Sequence, residues 1–319
     1  MSDLFDSSRP MDAARTLALY SRYYQDNGPA LPAGRPEDMR FVESLSASLD
    51  GLEGLILDSY GVIGLGSAPI EGIVSLFDAA ALRDMPVIIL TNGASQPAAR
   101  REKGYQNWGL PITAADIISS RDACYQTVKT IQAQAPKTRF AYLDRNVMPF
   151  DDVPGALYED APWDEAPWDE ADYFIFLGAT FWGAAEQDRL ERALANTGAK
   201  LIIGNPDVSA PVDGGFTFEP GFWAMKAQEA TGAEVIMTGK PFAPAYEIAF
   251  DALQKKAGKP LERAKVGMVG DSLHTDILGA KSFGLHAILL SSYGLLAGRD
   301  VTREAIKAQI FPDTVARLL

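Results

Sequence analysis

Eight short apolar runs, each closing on a small, polar or acidic residue, limit what this chain can fold into. They are LEGLILD (52–58), MPVIILTN (85–92), TRFAYLD (138–144), DYFIFLG (172–178), KLIIGN (200–205), EVIMTG (234–239), KVGMVGD (265–271) and HAILLSS (286–292). Stretches with helical periodicity separate most of them. Strands alternating with helices imply βαβ units around a mostly parallel sheet. Runs that are apolar throughout, rather than alternating, fit strands covered on both faces. A length of 319 residues suits two domains. Ahead of the first run, residues 11–25 carry apolar positions at helical spacing, and residues 36–47 read as a second short helix. Pro29, Pro32, Gly34 and Pro36 break the chain between the two.

Charge and composition exclude several classes of function. The 29 Lys and Arg against 42 Asp and Glu give a net charge of −13, which repels nucleic acid and anionic membrane surfaces. The same field repels a phosphorylated substrate, so a phosphate site here requires a local cation. No apolar run approaches the roughly 20 residues that span a bilayer, and the N-terminal MSDLFDSSRP lacks the pattern of a signal peptide. The single cysteine, Cys124, rules out an intrachain disulfide and fits a cytoplasmic location. With only His274 and His286, a multi-histidine zinc site is excluded. The acidic, Pro-rich segment 151–170, in which APWDE occurs twice at 161–170, reads as a solvated loop.

In open α/β sheets, ligands bind beyond the carboxyl ends of the strands. The residues standing there are Asp58-Ser59-Tyr60-Gly61, Thr91-Asn92-Gly93, Lys240-Pro241 and Asp271-Ser272-Leu273-His274-Thr275-Asp276. Three carboxylates brought together without a cation repel each other and hold their protons more tightly. Lys240 and a bound Mg2+, which takes a few carboxylates plus water and substrate oxygen, would relieve that. A carboxylate such as Asp58 can attack phosphorus and split hydrolysis into two easier steps, with Thr91 and Lys240 holding the phosphoryl oxygens.

The order DSYGVI, LTNGAS, TGKP and GDSLHTDI resembles the four motifs of the haloacid-dehalogenase-like superfamily. Asn205-Pro206-Asp207, Glu219-Pro220-Gly221 and Gly239-Lys240-Pro241 are similar to the branch containing the NagD-like, pyridoxal phosphate and phosphoglycolate phosphatases. The resemblance covers roughly residues 50–295. It implies a Rossmann-like α/β core with a parallel sheet, and an α/β cap of the C2 type inserted between the second and third motifs. The corresponding division is a core of residues 1–118 and 230–319, with an N-terminal helical extension, and a cap of residues 119–229. It also implies a Mg2+-dependent phosphatase of small phosphorylated metabolites, and it leaves open a homodimer formed through the cap.

By the same resemblance, Asp58 is nucleophile and metal ligand, the Tyr60 carbonyl a second ligand and Asp271 a third. Asp276 supports the metal site, directly or from the outer shell. Thr91 and Lys240 bind phosphate, Asn92 orients Asp58 or the phosphoryl group, and Asn205 faces the substrate. One position departs from the pattern. Phosphatases of this superfamily carry a second aspartate two residues after the nucleophile, where this chain has Tyr60. A phenol holds its proton at neutral pH and is a poor general base, so hydrolysis of the phospho-enzyme is expected to be slow.

That departure keeps two other functions in view. One is a phosphometabolite-binding or regulatory protein that turns over poorly. The other is a 2-haloacid dehalogenase, because those enzymes also carry tyrosine at this position. Against it stand the retained Asp271 and Asp276, and the short stretch Gly61–Gly72, which leaves no room for the helical cap of dehalogenases. Arg100 and Arg101, on a helix after the second motif, are expected on a solvated face, with phosphate contact as the alternative; His274 is expected outside catalysis, and Trp182 and Trp223 in the core or at an interface.

Overall fold

All eight apolar runs form strands in the computed structural model, which describes residues 3–157, 168–212 and 215–319. They divide equally between two parallel sheets. The seven-stranded sheet runs, edge to edge, Arg40–Ser44, Thr314–Leu318, His286–Leu290, Val266–Gly270, Gly54–Leu57, Val87–Thr91 and Ile117–Ser119. The five-stranded sheet runs Val235–Met237, Lys200–Ile203, Tyr173–Phe176, Phe140–Leu143 and Gly155–Leu157. Every pairing in both sheets is parallel. The central strands Gly54–Leu57, Val87–Thr91 and Val266–Gly270 are buried at every residue. Their continuous apolar character follows from helices packing on the sheet, among them Ala243–Ala257 against Gly54–Leu57 and Val87–Thr91.

The chain leaves the larger sheet after Ile117–Ser119 through the helix Ser120–Gln134 and returns after Val235–Met237 through the Lys240 turn. A division at 229/230 therefore cuts the second sheet, because Val235–Met237 pairs with Lys200–Ile203 in register 201↔235 to 203↔237. The apolar run at 234–239 matches those of the larger sheet in composition, and only its pairing partner distinguishes it.

The N-terminal region differs from the sequence reading at one point. The helix Ala13–Asn27 forms, with Asp12 as its N-cap accepting the Arg15 N–H at 2.8 Å. Residues 36–47 form no second helix. A short turn at Pro36–Asp38 leads into the strand Arg40–Ser44, which pairs with Thr314–Leu318 at the sheet edge. Arg40-Phe41-Val42 offers the branched and aromatic character of a strand, but its partner lies at the other end of the chain.

The helix Ala13–Asn27 buries Leu17, Tyr20, Tyr23 and Tyr24, positions spaced to line one face. It joins the two sheet units. Thr16 Oγ1 lies 2.7 Å from Ser209 Oγ and Arg22 pairs with Glu229, while Ser21 meets His274 on the larger sheet's side. Trp168 is buried against Phe174 and Trp182; Trp163 and most of the APWDE repeat lie outside the described residues. Among the described residues no helix is long and apolar enough to cross a membrane.

Candidate active site

Three neighbouring parallel strands bring the motif residues to one edge. Leu57 is in register with Val269 on one side and Ile89 on the other. Asp58, Asp271 and Thr91 therefore emerge side by side at the carboxyl ends of Gly54–Leu57, Val266–Gly270 and Val87–Thr91. Asp276 comes from the wide helical turn Leu273–Ile277, and Lys240 from the return of the second sheet. Asp58, Asp271 and Asp276 each present a carboxylate oxygen within 4.8 Å of the others, all buried. Gly61 and Gly294, both at positive φ, lie against the Asp271 carboxylate, where a Cβ at either would collide with it.

Lys240 Nζ stands between two of these acids, 2.5 Å from Asp58 Oδ1 and 2.7 Å from Asp276 Oδ1. Burial disfavours its charge, but Asp276 and Asp58 more than offset that and hold its pKa well above the usual lysine range. Asp276 is engaged at both oxygens, since Oδ2 accepts the Ser272 N–H at 3.1 Å. Burial, with Asp276 adding to it, raises the Asp58 pKa to about 7 against the pull of Lys240. Asp271 is pushed well above the carboxylate range by burial, then by Asp276 and Asp58, with the Leu295 N–H and Lys240 acting against it. Desolvation is the largest cause for both acids, and the neighbouring carboxylates add to it.

These residues open into a cavity of about 590 Å³ whose far wall comes from the second sheet. Asn205, Asp207, Thr217 and Glu219 line that wall, together with Trp182. Asn205 donates to Glu219 at 3.1 Å and accepts the Asp207 N–H at 3.0 Å. Burial raises Glu219 to about 7, opposed by hydrogen bonds from Thr217 and Asn205, and Asp207 is raised from the same cause. Trp223 is buried and packs against Phe218, which lines the cavity. Thr91 lines the cavity and its Oγ1 accepts the Gly93 N–H at 3.2 Å, leaving its hydroxyl proton available. Ser272 Oγ, also on the wall, is buried with no hydrogen-bond partner.

Asn92 lines the cavity, but its side chain bonds the Lys240 backbone, Ser120 and Asp207 rather than Asp58. Tyr60 lines the cavity, and its hydroxyl accepts the Gly66 N–H at 3.3 Å, in the hairpin Gly64–Leu65/Ala68–Pro69 within the stretch Gly61–Gly72. Arg101 lines the cavity rather than a solvated face, whereas Arg100 is exposed. His274 is buried against Tyr20, and burial lowers its pKa to about 4. Tyr20 itself reaches the cavity, its hydroxyl accepting the Val208 N–H at 3.0 Å and donating to Asp207 at 3.4 Å. No sequence signal marked it, because it lies on an extension outside every motif.

Residues 55–146 match the family described as haloacid dehalogenase-like hydrolase, and residues 237–318 match a second family of HAD-like hydrolases. An acid sugar phosphatase of Staphylococcus haemolyticus is 24% identical over 236 residues, 74% of this chain and 84% of the relative. The chloroplastic phosphoglycolate phosphatase 1A of Arabidopsis thaliana is 22% identical over 265 residues, 79% of this chain and 72% of the relative. Among solved structures, a possible sugar phosphatase from Cytophaga hutchinsonii superposes with a TM-score of 0.73 at 24% identity, covering 88% of this chain and 98% of its own. A p-nitrophenyl phosphatase from Archaeoglobus fulgidus gives 0.63 at 21%, covering 84% and 96%. The family matches fall on the two stretches that carry the carboxylates and Lys240, and with the parallel sheet that gathers them they make this chain a member of the haloacid dehalogenase-like hydrolases.

Proposed function

We propose that this hydrolase is a Mg2+-dependent phosphatase of small phosphorylated metabolites, working through an aspartyl-phosphate on Asp58, with the second sheet serving as its cap. The convergence of Asp58, Asp271 and Asp276 around Lys240, at the mouth of a cavity, carries this reading. The donor set fits a hard divalent cation: oxygen ligands only, buried, and too negative to stay ionised together without one. Asp58 and Asp271, with the Tyr60 carbonyl, are the residues that would hold it, and Asp276 supports them through Lys240. Bound there, Mg2+ would neutralise the carboxylates and polarise a phosphoryl oxygen.

The protein's own groups supply the rest. One Asp58 oxygen attacks phosphorus, the P–O ester bond breaks, and the leaving oxygen takes a proton. Water then attacks the phosphorus of the aspartyl-phosphate, releasing inorganic phosphate and restoring the carboxylate. Lys240 favours the ionised form of Asp58 and orients it, and the Thr91 hydroxyl is placed to donate to a phosphoryl oxygen. Tyr60 accepts from Gly66 and so retains its own proton to give to a leaving oxygen; it is no base for the water. The enzyme is therefore slow in the second step. The relatives' names, acid sugar phosphatase and phosphoglycolate phosphatase, support a phosphomonoester substrate.

Hydrolysis of 4-nitrophenyl phosphate and of an alkyl phosphate, each with and without Mg2+, tests the reading. Metal-dependent release of phosphate from the aryl ester is the expected result. No turnover of either ester, with phosphate still bound, would favour a binding protein.

A further inference from the structure

Two cationic side chains line the cavity among the described residues, Lys240 and Arg101. The Lys240 ammonium is committed to Asp58 and Asp276. Three carboxylates against one ammonium leave two negative charges, which a divalent cation cancels. A phosphomonoester dianion entering that site meets no surplus positive charge from these groups. Arg101 is the remaining cation, and no carboxylate pairs with it among the described residues.

Its placement suits an anion bound beside Asp58. Arg101 lies on the helix Ala99–Asn107, half-buried, with Nε buried and without a hydrogen-bond partner. The guanidinium lies over Gly93, in the space that a Cβ there would occupy, so the glycine after Thr91-Asn92 lets the arginine head approach this segment closely. One helical turn on, the Tyr105 hydroxyl is beside Arg101 and 2.6 Å from Ser59 Oγ. The guanidinium thus sits between the two segments that hold the nucleophile and Thr91. A planar fork of donors matches two oxygens of a phosphoryl group.

We propose that Arg101 is a substrate-binding residue that takes the charge of the phosphoryl dianion, complementing a lysine held by its own carboxylates. This deepens the phosphatase reading and rests on it for the identity of the anion. The test measures inorganic phosphate binding to the whole protein, by calorimetry and by the phosphate-dependent rise in Tm, with and without Mg2+. Arg101→Gln is expected to weaken binding about tenfold to a hundredfold, the usual effect of removing a charged hydrogen-bonding partner. Arg101→Lys should fall between, keeping the charge without the fork, and Arg100→Gln should match the unmodified protein. In turnover of 4-nitrophenyl phosphate, KM and the inhibition constant for phosphate should rise together in Arg101→Gln, with kcat changed less.

Tyr105→Phe separates direct contact from support of Ser59. Retained phosphate affinity in that variant sustains the proposal, and a loss equal to that of Arg101→Gln overturns it. Equal phosphate affinity in Arg101→Gln and the unmodified protein, or no phosphate binding by the unmodified protein, also overturns it. Arg101-dependent phosphate binding without turnover of any ester would sink the phosphatase reading and leave the role of Arg101 standing.

Discussion

The side-chain amide of Asn92 makes both halves of a hydrogen-bonded pair with the backbone of Lys240, accepting its N–H at 2.8 Å and donating to its carbonyl at 3.2 Å. The pair joins the end of a strand in the larger sheet to the turn by which the chain returns from the second. Ser120, at the start of the outgoing helix, donates to the same Asn92 oxygen at 2.6 Å. Asn92 therefore ties together both crossings between the sheets and sets where the Lys240 ammonium lies.

Asn92→Ala should consequently act on both stability and rate. It strands the Lys240 N–H, and the cost of an unsatisfied buried group is about 1–3 kcal/mol. A drop in Tm of several degrees is expected, together with a fall in kcat of at least tenfold as Lys240 loses its position. Circular dichroism melting and steady-state kinetics check this. Unchanged kcat in a destabilised variant would mean that Lys240 is placed by its carboxylates alone.

Asp58→Asn should abolish turnover without loosening the metal-free fold. The Asp58 pKa stands at about 7, above the ordinary 3.8, so the native state holds the proton more tightly than the unfolded chain. Stability from this group falls as pH rises between those values, and the deficit persists above pH 7. The amide removes that deficit. At pH 8 without metal, the variant should melt at or above the temperature of the unmodified protein, and Mg2+ should raise its Tm less. A variant that keeps substantial activity would remove Asp58 as nucleophile.

Glu219 obeys the same sign on the opposite wall of the cavity. Burial lifts it from the usual 4.5 to about 7, so the native state binds more protons than the unfolded state in that window, and stability declines as pH rises through it. Glu219→Gln should flatten the decline, with a gain on the order of 1–3 kcal/mol at pH 8 relative to pH 4.5. The amide keeps an oxygen for Thr217 and loses the bond that Asn205 donates, a cost that does not vary with pH and leaves the slope as the readout. Urea unfolding at a series of pH values measures the slope, and an unchanged slope would place the titration elsewhere.

Tyr60 decides how the leaving oxygen is served. The unmodified protein should hydrolyse aryl phosphates weakly and alkyl phosphates more weakly, because alkyl leaving groups require the proton. Tyr60→Asp supplies the missing acid and base, and should raise alkyl phosphate turnover roughly tenfold, a fraction of the usual acid–base contribution. Equal rates on both esters in the unmodified protein, lost in Tyr60→Asp, would show that the phenol is itself the working acid.

The strands and motif residues were legible because their signals are local. A buried parallel strand must be apolar along its length, and an acidic or polar residue that ends such a run stands at the edge where ligands bind. Asp58, Thr91, Asp271 and Asp276 could therefore be read in order along the chain, and the structure gathers them with Lys240. What the sequence left undecided depends on contacts between distant segments. Arg40–Ser44 became a strand because Thr314–Leu318 pairs with it, and Val235–Met237 joined the second sheet because Lys200–Ile203 lies beside it. Arg100 and Arg101 are adjacent and alike in sequence, yet a rotation of one residue along the helix sends one to solvent and the other over Gly93. Tyr20 enters the cavity only because its helix spans the junction of the two sheets. Composition and periodicity report whether a residue is covered; which partner covers it is settled by the packing of elements far apart in the chain.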